Sequence, residues 1–320
     1  MPPHLSFSAE RKKDAVPIAI VRGGDADGQI LYIHTDDTPS NLPKVVEISS
    51  SKYPLTHLKP RQRDAMRDKM NRSLYRDEED IEADPRSKAV YRSARKDKQR
   101  GTEVNLPEDS FFQIVPNTDP EKRDIFYLAG ASGSGKSYLS RSIAENYKKI
   151  YPDREVYLVS KLDEDPVLDN MKVGKPKRIS IQSLLEEPVE DISEFSDSLI
   201  IFDDVDTFTG KEEKAVQQLI DDIGAMGRHH KISMIIATHR ITNYKKTRLI
   251  LNEATHYVLY PQSTAFNNLK YLLSNYMGLD AKEIKGLRKY GRWICYHKNA
   301  PNYFLSEHTA KLLHTEGDAE

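Results

Sequence analysis

Eight residues constrain this chain more than any others. G-A-S-G-S-G-K-S at 130–137 follows the strand-like run Asp124-Ile125-Phe126-Tyr127-Leu128-Ala129 and precedes Y-L-S-R-S-I-A-E-N-Y, which has helical periodicity. Strand, glycine-rich loop and helix in that order match G-x-x-x-x-G-K-[ST], a loop that wraps the phosphates of a nucleoside triphosphate. Backbone N–H groups must converge on phosphate oxygens. Gly130, Gly133 and Gly135 permit that approach and the unusual dihedrals it needs, with Ala131, Ser132 and Ser134 completing the cradle. The helix starting near Lys136 adds the positive end of its dipole. Lys136 is expected to reach the β- and γ-phosphates and the Ser137 hydroxyl to ligate Mg²⁺, and Tyr138 is grouped with the nucleotide-binding residues.

A second motif lies downstream. Leu199-Ile200-Ile201-Phe202 reads as a buried strand and ends in Asp203-Asp204. Phosphate-loop hydrolases need a carboxylate beside Mg²⁺ at such a strand end, a role that falls to Asp203. Asp204 then stands where a second carboxylate polarises the attacking water. The plainer alternative is a pair of capping or turn acids, and Asp206 fits that description too. A helix over 211–226 places Val216, Leu219, Ile220 and Ile223 on one face, and G-R-H-H-K-I-S-M-I-I-A-T-H-R follows. Ile232–Ala237 reads as a buried strand beside the acidic one. Thr238 and His239 at its end are expected to sense the γ-phosphate. Arg228 and Arg240 are both candidates for an arginine finger. Arg228 precedes the strand, far from the local nucleotide, which suits donation to a neighbouring subunit. Lys245-Lys246-Thr247-Arg248 is either a solvated loop or a contact to a DNA backbone.

The rest of the chain divides by texture. Residues 1–58 carry a candidate β-hairpin, with Ile18–Val21 and Gln29–Ile33 flanking R-G-G-D-A-D-G. Residues 59–107 are charged, with 14 Lys/Arg against nine Asp/Glu from Lys59 to Arg100. Such a stretch is a solvated helix or disordered linker, or else a basic arm for phosphate backbones. Strands near 124–129, 155–160, 178–181, 198–203, 232–238 and 256–260 alternate with helices near 136–149, 211–226, 264–276 and 281–289. A hairpin joins Arg292–Tyr296 to Asn302–Leu305. That alternation predicts an α/β fold, a nucleotide-binding core over 108–310 with a mostly parallel sheet flanked by helices, then a tail at 311–320.

Composition excludes several classes. One cysteine in 320 residues rules out an internal disulfide framework and a cysteine-based zinc site, and Cys295 reads as a small core residue. No apolar run approaches the ~20 residues that span a bilayer, and M-P-P-H-L-S-F-S lacks a signal peptide's apolar core, so a soluble intracellular protein with no membrane partner is expected. The net charge of −1 announces no nucleic-acid partner for the molecule as a whole.

Taken together, G-A-S-G-S-G-K-S, L-I-I-F-D-D and G-R-H-H-K-I-S-M-I-I-A-T-H-R resemble the genome-packaging ATPases of large DNA viruses, the poxvirus-type branch of the FtsK–HerA superfamily. G-R-H-x-x-I-S before an apolar strand is the most telling part, and N-Y-K-K-T-R-L-I-L-N-E-A-T-H-Y-V-L-Y-P also looks like that group. The resemblance covers roughly 122–305. It implies a RecA-like core with the acidic strand one remove from the phosphate-loop strand, ATP as the nucleotide, and a homo-oligomeric ring moving double-stranded DNA into a capsid. It also implies capsid proteins as partners and a place in the host cytoplasm, a viral factory or the virion. Residue by residue it implies Lys136 and Ser137 at the phosphates and Mg²⁺, Asp203 at Mg²⁺, Asp204 as base, Arg228 as a finger given in trans and His239 as sensor. Two positions depart from the wider superfamily, which usually has Glu at 204 and often Gln at 239.

Three functions compete on these grounds. An ATP-driven DNA translocase needs a ring. A phosphotransferase needs a mobile arginine-bearing lid, and no such insertion follows Asp204. A nucleotide-gated assembly or DNA-binding protein with weak turnover needs only the loop.

Overall fold

The computed structural model describes residues 3–10, 12, 15–36, 40–42, 53, 55–74, 84–241 and 247–313. In chain order the elements are β1 (His4–Ser8), β2 (Val16–Arg22), β3 (Ile30–His34), α1 (Pro60–Leu74), α2 (Pro85–Arg100), β4 (Glu103–Asn105), β5 (Phe111–Ile114) and β6 (Ile125–Ala129). Then come α3 (Lys136–Ile150), β7 (Val156–Val159), β8 (Lys177–Arg178), α4 (Ile181–Glu186), β9 (Leu199–Phe202), α5 (Gly210–Met226) and β10 (Ser233–Thr238). The chain continues through α6 (Arg248–Glu253), β11 (His256–Leu259), α7 (Phe266–Met277), α8 (Ala281–Gly286), β12 (Ile294–His297), β13 (Tyr303–Ser306) and β14 (Thr309–Leu312).

Among the described residues the larger sheet runs β4-β14-β13-β12-β11-β6-β10-β9-β7-β8. From β11 to β8 every pairing is parallel, and from β11 to β4 every pairing is antiparallel. Both faces are covered, so the central strands read as unbroken apolar runs rather than alternating ones. Alternation decides which face each residue serves. Phe126, Leu128, Ile201, Ile235 and Ala237 face α3 and the N-terminal sheet, while Tyr127, Ile200, Phe202, Met234 and Ile236 face α5 to α8. α3 buries Leu139, Ile143, Ala144 and Tyr147, the stripe a 3.6-residue period dictates. The α/β fold with a mostly parallel, helix-flanked sheet is the one expected, and the acidic strand β9 lies one remove from β6, with β10 between.

A four-stranded antiparallel sheet, β1-β3-β2-β5, holds the expected hairpin as β2 and β3. It packs on α3, where Asn146 Nδ2 donates to the Ile114 carbonyl at 2.9 Å and Tyr151 donates to the Asn117 carbonyl at 2.9 Å. The compositional change at Pro107 does not divide the chain into one sheet before it and the other after it. β4, before it, pairs with β14 in the larger sheet, and β5, after it, pairs with β2 in the smaller one. Two further differences concern short segments. The strand read at 178–181 gives way to α4 at Ile181, and β14 carries the larger sheet through Lys311 and Leu312, while 314–320 lie outside the described residues. In the charged stretch, α1 and α2 share a small core of Tyr53, Leu55, Met70, Tyr91 and Ala94. Cys295 is fully buried, as a core residue should be, and burial pushes its thiol pKa up.

Candidate active site

Parallel strands end their C-termini on one edge, where the loops that follow β6, β9 and β10 converge. The first is the glycine-rich loop. Gly130 packs against Tyr260 so closely that a Cβ there would stand 2.5 Å from the tyrosine Cδ2. Gly135 caps α3 at φ 105°, a dihedral that L side chains rarely adopt. The Gly130 N–H donates to the Thr238 carbonyl at 3.1 Å, which ties the loop to β10.

Lys136 is buried at the first turn of α3. Its Nζ donates to the carbonyls of Gly130 at 3.1 Å and Ala131 at 3.3 Å and stands 3.6 Å from Asp204 Oδ1. His239 Nε2 reaches the same carboxylate oxygen at 3.5 Å. Lys136, Asp204 and His239, 103 residues apart in sequence at their extremes, thus meet at one point. Asp203 is buried beside them, and its Oδ1 has no hydrogen-bond partner. Burial, reinforced by the charges of Asp204 and Asp165, pushes its carboxyl up to about 7 against the pull of Lys136 and Arg178. Ser137 is half-buried, Ala131, Ser132 and Gly133 are exposed, and Tyr138 is 67% exposed on the first turn of α3. Ser134 Oγ is buried without a hydrogen-bond partner.

Residues 126–258 match the ATPase family associated with various cellular activities (AAA). The uncharacterized protein V3 of Sputnik virophage is 34% identical over 232 residues, which cover 71% of this chain and 91% of V3. This chain is a P-loop ATPase of the V3 family. Among solved structures, its fold is similar to that of the genome packaging NTPase B204 from Sulfolobus turreted icosahedral virus 2, at 17% identity and a TM-score of 0.41 over 60% of this chain and 96% of that one. It is also similar to the conjugation coupling protein TcpA of pCW3, at 14% identity and a TM-score of 0.43 over 91% of this chain and 77% of that one.

The two arginine-finger candidates part company. Arg240 is exposed, next to His239 at the phosphate-loop edge, with its carbonyl held by Tyr127 Oη at 3.1 Å. Arg228 follows α5 at the opposite edge of the sheet and lines a cavity of about 960 Å³ together with Arg123 and Asp124. A strand of five residues puts the two edges about 16 Å apart. Lys245 and Lys246 lie outside the described residues.

Sequence reading missed what holds His239. Asp206 Oδ1 accepts from the His239 N–H at 3.1 Å and lies 3.3 Å from its Nδ1, so the acid positions the imidazole rather than capping α5. The D-D-V-D spacing was the available signal, but only the adjacency of β9 and β10 shows where it points. Arg178, paired with Asp169 at 2.6 Å, adds distant positive charge to Asp203 and carried no sequence signal. Among the described residues no helix is long and apolar enough to cross a membrane.

Proposed function

We propose that this ATPase is a ring-forming double-stranded DNA translocase that packages a viral genome. The observation that carries the hydrolytic part is the meeting of Lys136, Asp204 and His239 beside the buried Asp203. On this reading Lys136 leaves the loop carbonyls and Asp204 to hold the β- and γ-phosphates. Asp204 takes the proton of the attacking water as the water oxygen bonds phosphorus and the bond to the ADP oxygen breaks. His239, held by Asp206, reports the γ-phosphate. The orphaned, buried Asp203 Oδ1 and the Ser137 hydroxyl are the oxygens that would hold Mg²⁺. Among the described residues no cluster of three or more His, Cys, Asp or Glu is arranged for a metal. Magnesium characteristically completes its shell with water and phosphate oxygens. Bound there, it would neutralise charge on the transferring phosphoryl group.

The ring and its DNA rest on other features. Arg228 stands at the edge away from its own loop, so a neighbour's nucleotide is the one it can serve. G-R-H-H-K-I-S is the sequence feature that favours packaging. α2 carries seven Lys/Arg and one acid, and Arg61 of α1 and Arg86 and Arg92 of α2 are exposed, which suits a phosphate backbone. ATP hydrolysis measured with and without double-stranded DNA tests the proposal. Stimulation by DNA that disappears in Lys136→Ala and Asp204→Asn is expected. Hydrolysis indifferent to DNA, or transfer of phosphate to a small acceptor, overturns it and leaves the nucleotide-gated assembly role or a phosphotransferase.

A further inference from the structure

The phosphate-loop strand β6 has two neighbours. On one side β10 brings Thr238 and His239, with Asp203 and Asp204 at the end of β9 beyond it. That is the γ-phosphate side. On the other side β11 leads into Tyr260, and β12 begins just after Arg292. Hydrolysis as described makes no use of this second side, yet it is built tightly against the loop.

Two contacts define it. The Tyr260 ring packs on Gly130, and its hydroxyl is buried with no hydrogen-bond partner. Arg292 extends over Gly135, where a Cβ would stand 3.6 Å from its Nη1 and 3.7 Å from its Cδ. The main chain of Arg292 is fixed, because its N–H donates to the Glu307 carboxylate at 3.0 Å. The side chain is exposed. Among the described residues Lys136 and His239 pair with Asp204 at this edge, His239 also pairs with Asp206, and no ion pair involves Arg292. A guanidinium with free donors, anchored by its own backbone beside the first turn of α3, is suited to a phosphate oxygen.

We propose that Arg292 binds the nucleotide of its own subunit, donating to the α-phosphate end, opposite the γ-phosphate that Lys136, Asp204 and His239 serve. The triphosphate lies across the loop, so the strand pair facing away from β10 meets the nucleoside end. Tyr138, exposed on the first turn of α3, offers an aromatic face on which a base can stack. The assignment rests on the reading of 130–137 as the nucleotide cradle.

Equilibrium binding of fluorescent ADP and ATP analogues to the full chain tests it, with Arg292→Ala, Arg292→Lys and Lys136→Ala compared with wild type. Arg292→Ala is expected to weaken ADP and ATP by the same factor, roughly tenfold or more, the worth of one charge-assisted hydrogen bond. The KM for ATP rises by that factor with kcat little changed, as for a contact equal in ground and transition states. Arg292→Lys recovers part of the loss. The Glu307 contact uses the main chain and survives in both variants, and unchanged thermal unfolding midpoints verify this. Wild-type affinity in Arg292→Ala, or weakened ATP with ADP spared, overturns the assignment while Lys136→Ala still abolishes binding. Wild-type affinity in Lys136→Ala overturns the reading of the loop itself.

Discussion

Asp204 occupies the left-handed region, at φ 46° and ψ 49°. Short polar side chains tolerate that conformation better than longer ones, which gives the Asp at this position, where Glu is usual, a local reason. Asn shares the tolerance, so Asp204→Asn removes charge and leaves the turn in place. Its expected effect is a loss of hydrolysis of roughly 10²–10⁴-fold with nucleotide affinity retained, the range of a general base, measured by steady-state turnover beside equilibrium binding. A loss below about threefold would remove Asp204 from the chemistry. Asp124, at the other end of β6, is buried, and burial pushes its carboxyl up to about 6 despite a 2.6 Å hydrogen bond from the Asn117 N–H. A raised carboxyl favours the fold while protonated. That contribution is present below the unfolded value near 4 and is lost as pH rises through about 6. Asp124→Asn is therefore expected to gain stability relative to wild type between pH 4 and 7, by about 2–3 kcal/mol, read from urea midpoints at each pH. Parallel pH profiles for the two proteins would contradict the burial account.

Among the elements, the central strands were legible as unbroken apolar runs, and α3 and α5 because each is buried on a face that its own period announces. Val216, Leu219, Ile220 and Ile223 of α5 are all buried, as the spacing predicts. Ile235 of β10 is fully buried, so Ile235→Ala is expected to cost about 2–5 kcal/mol in chemical denaturation, and a cost under about 1 kcal/mol would mean the sheet centre is looser than its burial. β4 (E-V-N) and β5 (F-F-Q-I) escaped because neither is an unbroken buried apolar run like the central strands, and their partners β14 and β2 lie far away in sequence. The candidate site was legible wherever a single segment holds it, as at 130–137 and at Asp203-Asp204. Asp206 and Arg292 were not, because their relation to the loop exists only once β9, β10, β11 and β12 take their places around β6. The α1–α2 stretch falls between these cases: its charge was legible, its small core was not. Combined Arg61→Glu, Arg86→Glu and Arg92→Glu is expected to flatten the slope of log affinity for DNA against log salt by roughly two to three units while basal hydrolysis stays unchanged. An unchanged slope would free α1 and α2 from DNA.

For the whole molecule, the two edges of one sheet carry different charged groups. Lys136, Asp204 and His239 gather at one edge, and Arg228 lies at the other beside Arg123, whose guanidinium closes the end of α5 through the carbonyls of Ile223 at 2.6 Å and Gly224 at 2.8 Å. If the finger is given in trans, Arg228→Ala removes roughly 10³–10⁵-fold of turnover, yet mixing with Asp204→Asn subunits restores part of it, because some interfaces then combine an intact base with an intact finger. No recovery in any mixing ratio would return the role to Arg240 or to none. Displacement of a third strand from a DNA duplex reads translocation without reference to hydrolysis. ATP-dependent displacement by wild type and none by Lys136→Ala is expected. Hydrolysis stimulated by DNA without displacement would contradict translocation.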